Sequence, residues 1–174
     1  MGHGKRILMQ LAPKSIIDVT EYESAIRREA DRRYNNNQRT GIEGMTNKTK
    51  ARIQHTRGTA AEVAARLAMG LDPYAIKDDK IGAPDFEHRG VKYDVKCISS
   101  EYPILNVQYY EGVLERRKDW VIMVMMYEGF GWSFVHHRDI PFNNLAYLEP
   151  VAAQGGHRST HWRIDLGTQK SDTR

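Results

Sequence analysis

Asp94 and Lys96 stand two residues apart in the stretch Ile81–Ser99, IGAPDFEHRGVKYDVKCIS, which reads as two short strands around a turn at Arg89-Gly90. Side chains alternate across a strand, so Asp94 and Lys96 share a face with Lys92, while Tyr93, Val95 and Cys97 take the other. A hairpin would carry Asp85 towards Asp94. Two carboxylates and one ammonium around a point make a place for a hard cation and a phosphate. Mg²⁺ is held by one or two carboxylates with waters and phosphate oxygens completing its shell, and a nearby lysine can stabilise charge developing on phosphate. The bland reading of Asp94 and Lys96 is an exposed same-face ion pair, and that of Asp85 a Pro-Asp turn. Asp78, Asp79 and Glu87 are rival carboxylates.

Histidine offers a weaker alternative. His136-His137 end an apolar strand, and His157-x3-His161 has a spacing that ligates metal on a helix. Gly155-Gly156 before it and the strand-like HWRIDLG after it argue against a helix there. Cys97 is the single cysteine of the chain, so neither an intrachain disulfide nor a cysteine-rich zinc site can form. It reads as a packed core thiol in a reducing, cytoplasmic setting. The apolar run near the N-terminus is broken by Gln10, Pro13 and Lys14, which argues against a signal peptide, and no run approaches the length of a membrane span.

The elements around this stretch must position it. Thr20 to about Tyr34 reads as a helix with a Thr20-x-x-Glu23 capping box and an apolar stripe at Tyr22, Ile26, Ala30 and Tyr34. Arg27, Arg28, Arg32 and Arg33 flank that stripe, a geometry that can lie along a phosphate backbone or simply face water on a docked helix. Asn35–Lys50 is polar and reads as a loop or hinge. A helix beginning near Lys50 is expected to break at Gly58. A clear one follows from Thr59, TAAEVAARLAMG, stopping at Gly70 and bearing Glu62, whose bland roles are a Thr59-x-x-Glu62 cap and a pair with Arg66. After a loop at 100–106, Val107–Lys118 reads as a helix. WVIMVMMY then has the length and continuous apolarity of a central strand, EGFG turns it into WSFVHH, and Trp162, Ile164 and Leu166 alternate on a peripheral edge strand.

The chain has 174 residues and a formal net charge of +4, unevenly placed: residues 1–60 hold 12 Lys/Arg against 6 Asp/Glu, and residues 61–174 hold 14 against 16. A polyanionic partner gripped by the N-terminal third would account for this. The organisation expected is a basic N-terminal arm and hinge over 1–57, a core domain over 58–167 and a flexible tail over 168–174.

Pro84-Asp85, eight residues, then Asp94-Val95-Lys96, with Glu62 on the preceding helix, resembles the PD-(D/E)XK nuclease superfamily over roughly residues 58–137. The resemblance implies an α/β fold of the restriction-endonuclease-like type, a mixed central β-sheet flanked by helices, here with an N-terminal helical arm. It implies metal-dependent hydrolysis of DNA, with Mg²⁺ (or Mn²⁺) held by Asp85, Asp94 and the Val95 backbone carbonyl. Lys96 would orient or activate the attacking water, and Glu62 would hold a water or help to place a second ion. The Gln-x-x-x-Tyr of the exonuclease-like members is absent: Gln108 is followed by Gly112, and Asn106 by Tyr110. Internal cleavage is therefore the expectation, with a homodimer to cut both strands. Arg27, Arg28, Arg32, Arg33, Arg57 and Gln108 are the candidate DNA contacts. A nucleic-acid-binding protein without catalysis is the rival, and a structural protein in which Asp94-x-Lys96 is only an ion pair is a second.

Overall fold

The structure is a computed structural model that describes residues 15–40, 47–76, 82–129, 131–153 and 159–167. The rivals Asp78 and Asp79, His157 and the tail expected over 168–174 lie outside the described residues.

A five-stranded sheet forms the frame, in the order β1 (Ile16–Asp18), β6 (Ser133–Pro141), β5 (Trp120–Tyr127), β3 (Val91–Ser99), β2 (Phe86–His88). β3 and β5 run parallel and every other pairing is antiparallel, so the sheet is mixed. Two long helices, α1 (Glu23–Thr40) and α2 (Lys48–Ala68), pack on each other and on one face. The other face carries a two-stranded ribbon, β4 (Ile104–Gln108) with β7 (His161–Asp165), the single turn of α3 (Val113–Arg116) and a 3-10 stretch at Phe142–Tyr147.

β5 explains the two-layer core. Its apolar run leaves no polar face, and the structure buries both. Met123 and Met125 join Ile26, Val63, Val95 and Phe134 under the helices, while Ile122 and Val124 join Leu105, Val107, Phe142, Leu145 and Trp162 under the ribbon. This is the central strand expected of such a run. The β2–β3 hairpin is also as expected. Arg89 (φ 49°) and Gly90 (φ 78°) are both left-handed, the conformation that a two-residue turn needs to match strand twist.

The N-terminal helix differs from its expectation. The side chain of Asp18, not Thr20, makes the local bond at its start, accepting from the Thr20 N–H at 2.8 Å, and a 3-10 turn at Thr20–Tyr22 precedes α1. α1 then runs on through Asn35–Asn37 to Thr40. Those residues favour helix weakly, but Tyr34 meets the His55 ring edge-on at 6.0 Å, and such packing onto α2 outweighs propensity. Nor does α1 stand apart as an arm: Ile26, Ala30 and Tyr34 are buried. α2 passes unbroken through Gly58, so the 57/58 boundary falls inside one helix. It starts at an Asn47 side chain accepting from the Lys50 N–H at 3.1 Å. It ends in a left-handed Gly70, with the Leu71 N–H donating to Arg66 O at 2.8 Å.

The second correction concerns 104–118. The helix expected there is only α3, and Ile104–Gln108 is a strand in register with Asp165–His161. Leu105 and Val107 alternate inward, but the strand that pairs with them lies more than fifty residues on. Trp162 is likewise core rather than periphery, at 1 % exposure.

Candidate functional site

The hairpin register places Phe86 opposite Tyr93, and Asp85 extends this ladder by one residue. Its N–H donates to Tyr93 O at 2.9 Å, and its Oδ2 accepts from the Val95 N–H at 2.6 Å. Arg66 Nη2, from the last turn of α2, donates to the Asp85 carbonyl at 2.9 Å. A carboxylate fixed to the backbone of the neighbouring strand cannot swing away, so Asp85 is held at the middle of β3.

Asp94 and Lys96 share the expected face. Lys96 Nζ donates to Asp94 Oδ1 at 2.8 Å. Asp94 is only 8 % exposed, so this is not the solvated pair of the bland reading. Its Oδ2 is buried and makes no hydrogen bond; Arg117 Nη1 lies 3.5 Å away. Arg117 follows α3, with its guanidinium 4.5 Å from the Trp120 ring centroid. Nothing in the local sequence pattern marked it.

Glu62 comes from α2 but is not the cap of a helix beginning at Thr59. Thr59 lies inside α2, its hydroxyl donating to His55 O at 2.8 Å. Arg33 grips Glu62 with both nitrogens, Nη1 to Oε1 at 2.6 Å and Nη2 to Oε2 at 2.9 Å, and Nη2 also donates to Ile76 O at 2.6 Å. Arg33 Nε reaches Glu29 at 3.0 Å. One guanidinium thus ties both helices to the end of the segment after α2.

The electrostatics bind these residues into one site. Burial, then Glu62, then Asp94 push the Asp85 carboxyl up to about 8. Three acidic groups therefore feel each other here. Burial opposes the Lys96 charge, but Asp94 and Asp85 outweigh it and raise its pKa, so it remains an ammonium. Burial likewise opposes the Arg33 charge, and Glu62 and Glu29 overcome that and raise it. Cys97 is pushed up to about 12 by burial, which keeps it an inert thiol at neutral pH.

Among the described residues no three His, Cys, Asp or Glu side chains form a group that could hold a metal ion. The donor set available is smaller: the carboxylates of Asp85 and Asp94 and the Val95 carbonyl between Asp94 and Lys96. Such a set could take a Mg²⁺ ion, which binds one or two protein carboxylates, and Asp94 Oδ2 is buried without a hydrogen bond, with Arg117 as its ion-pair neighbour. Glu62, with both oxygens on Arg33, stands behind this set rather than in it. Glu87 is exposed on β2, opposite Lys92. Among the described residues no histidines converge with Asp, Glu or Cys into a group that could hold a metal: His136 contacts Asp139 at 2.8 Å, His137 accepts from Arg138, and His161 is buried on β7.

The arginine row is largely spent inside the protein. Arg27 donates to Glu23 at 2.8 Å and covers Trp132, Arg32 binds Glu29 at 2.7 and 2.9 Å, and Arg33 is half-buried and held by Glu62. Arg28, Arg57 and Gln108 are exposed. No family model, curated protein or solved structure matches the chain.

Proposed function

We propose that the protein is a metal-dependent DNA endonuclease of the PD-(D/E)XK kind. The observation that carries this is the convergence of Asp85, Asp94 and Lys96, with Asp85 pinned to the Val95 N–H and Asp94 Oδ2 left as a buried acceptor. The order helix, hairpin, ribbon strand, short helix, parallel strand over α2, β2, β3, β4, α3 and β5 is the further support for a restriction-endonuclease-like core.

In this reading Asp85, Asp94 and the Val95 carbonyl would hold the ion, which would supply charge relief on the phosphate and a lowered pKa for a bound water. Lys96 donates hydrogen bonds to the attacking water or to a phosphate oxygen, and Asp94 Oδ1 holds its ammonium in place. Asp85 would give up its proton on taking up the ion, whose charge offsets the repulsion from Glu62 and Asp94. Glu62, oriented by Arg33, adds negative charge behind the ligands. Cutting both strands of a duplex is simplest with two such sites, hence a homodimer, which light scattering would measure.

A second reading, a nucleic-acid-binding module without catalysis, is favoured by Arg117 beside Asp94 and by Arg33 on Glu62. Those cations already offset carboxylates that a metal would otherwise neutralise. Plasmid, linear and branched DNA incubated with Mg²⁺ or with EDTA separate the two. The nuclease cleaves only with the ion, and Asp94→Asn and Lys96→Ala each lower the rate by about a hundredfold or more while DNA binding survives. Full activity in both variants would overturn the site, and binding without cleavage under Mg²⁺ and Mn²⁺ would establish the second reading.

A further inference from the structure

A cleft opens beside Lys96, between α2 and the strands β3 and β4, with a volume of about 490 Å³. Arg57, Gly58, Lys96, Tyr102, Asn106 and Tyr127 are among the residues around it. We propose that this cleft binds one unpaired nucleotide of a DNA strand, next to the phosphate at Lys96. The inference deepens the nuclease reading and rests on it for the position of that phosphate.

Gly58 gives the first argument. Glycine inside a helix costs stability relative to alanine, so it calls for a reason. Its backbone does not supply one, since Gly58 is absent from the positive-φ positions. Packing does not either, because a Cβ built there meets nothing within 4 Å. What the missing side chain does is leave room in the cleft, where another backbone could lie close against the helix.

The walls give the second. The Arg57 guanidinium lies 4.8 Å from the Tyr127 ring centroid, and that of Arg163 lies 6.0 Å from Tyr102, whose hydroxyl accepts from Arg163 Nη2 at 3.1 Å. Tyr102 is 56 % exposed. Tyrosines paired with arginines are surfaces on which bases stack without regard to sequence, and the exposed Arg57 brings positive charge for the strand that carries the base. The volume falls in the range of about 300–1,000 Å³ that takes a small molecule. A duplex keeps its base faces inside the stack and cannot offer one to such walls; a single strand, an overhang or a branch can.

The test measures anisotropy of labelled oligonucleotides in EDTA with the full chain: a single DNA strand, a blunt duplex, the same duplex with a single-stranded overhang, and a single RNA strand. The single DNA strand and the overhang should bind about tenfold more tightly than the blunt duplex. Tyr102→Ala should remove most of that preference. Gly58→Leu, which fills the cleft with a better helix former, should keep or raise the melting temperature and still weaken strand binding by about tenfold. Equal affinity for blunt duplex, tighter binding of RNA, or strand affinity unchanged in both variants would overturn the inference. Cleft-dependent strand binding without cleavage under any divalent ion would overturn the nuclease reading alone. Metal-dependent cleavage with no cleft-dependent strand binding would overturn this inference alone.

Discussion

Asp85 is held where its charge is least welcome. Burial, Glu62 and Asp94 lift its carboxyl from an ordinary value of 3.8 to about 8. The folded protein thus keeps a proton that the unfolded chain releases. Between pH ~4 and ~8 the unfolded state binds fewer protons, so stability falls as pH rises across that window and levels off above it. Urea midpoints in EDTA from pH 5 to pH 9 should show this decline, and Asp85→Asn, whose amide oxygen can still accept from the Val95 N–H, should flatten it. A decline of equal size in the variant would place its origin elsewhere. A cation competing with that proton would stabilise the protein more at pH 9 than at pH 6, which gives the same titration a second readout. The shared face of Asp94 and Lys96 was legible because strand alternation is local. The grip of Arg33 on Glu62 was not, since it joins residues 29 apart on different helices. No spacing rule marks which of the four arginines flanking the stripe will turn inward.

At the scale of elements, the reading succeeded where the pairing partner was near and failed where it was distant. The β2–β3 hairpin carried its own turn signal in Arg89-Gly90, and β5 announced itself by apolarity alone. β4 did not, because Ile104–Gln108 becomes a strand only through register with His161–Asp165. Residues 107–118 carry apolar positions that also satisfy a helical period, and tertiary pairing decides between the two. Gly58 misled in the same way: packing of Ala51 and of Thr59–Ala65 carries α2 through it. The ribbon's contribution is measurable at Trp162. Its indole meets Tyr109 at 5.0 Å and Phe142 at 6.1 Å, edge to face, and its Nε1 donates to Leu148 O at 3.3 Å. Trp162→Ala should cost about 3–5 kcal/mol in denaturant unfolding. A loss near the ±0.5 kcal/mol typical of surface sites would show instead that the ribbon is an appendage on a core that stands without it.

Across the whole molecule, charge composition tells how large the surplus of the N-terminal third is but not which of its cations face solvent unpaired. Arg27, Arg32 and Arg33 are paired within the fold to Glu23, Glu29 and Glu62. A guanidinium already paired within the fold releases few counterions when a polyanion arrives, whereas an exposed one beside the cleft releases about one per phosphate contact. Composition counts both alike; only the fold distinguishes them. DNA affinity measured from 50 to 300 mM salt should therefore respond differently to two substitutions of equal formal charge. Arg57→Ala should reduce the slope of log affinity against log salt by about 1. Arg32→Ala should leave the slope near that of the native protein, because Glu29 keeps Arg33 as its partner and no phosphate contact is lost. Equal reductions in the two variants would mean that α1 gives up its internal ion pairs to lie on the backbone, the first of the two roles that the spacing of the arginine row allows.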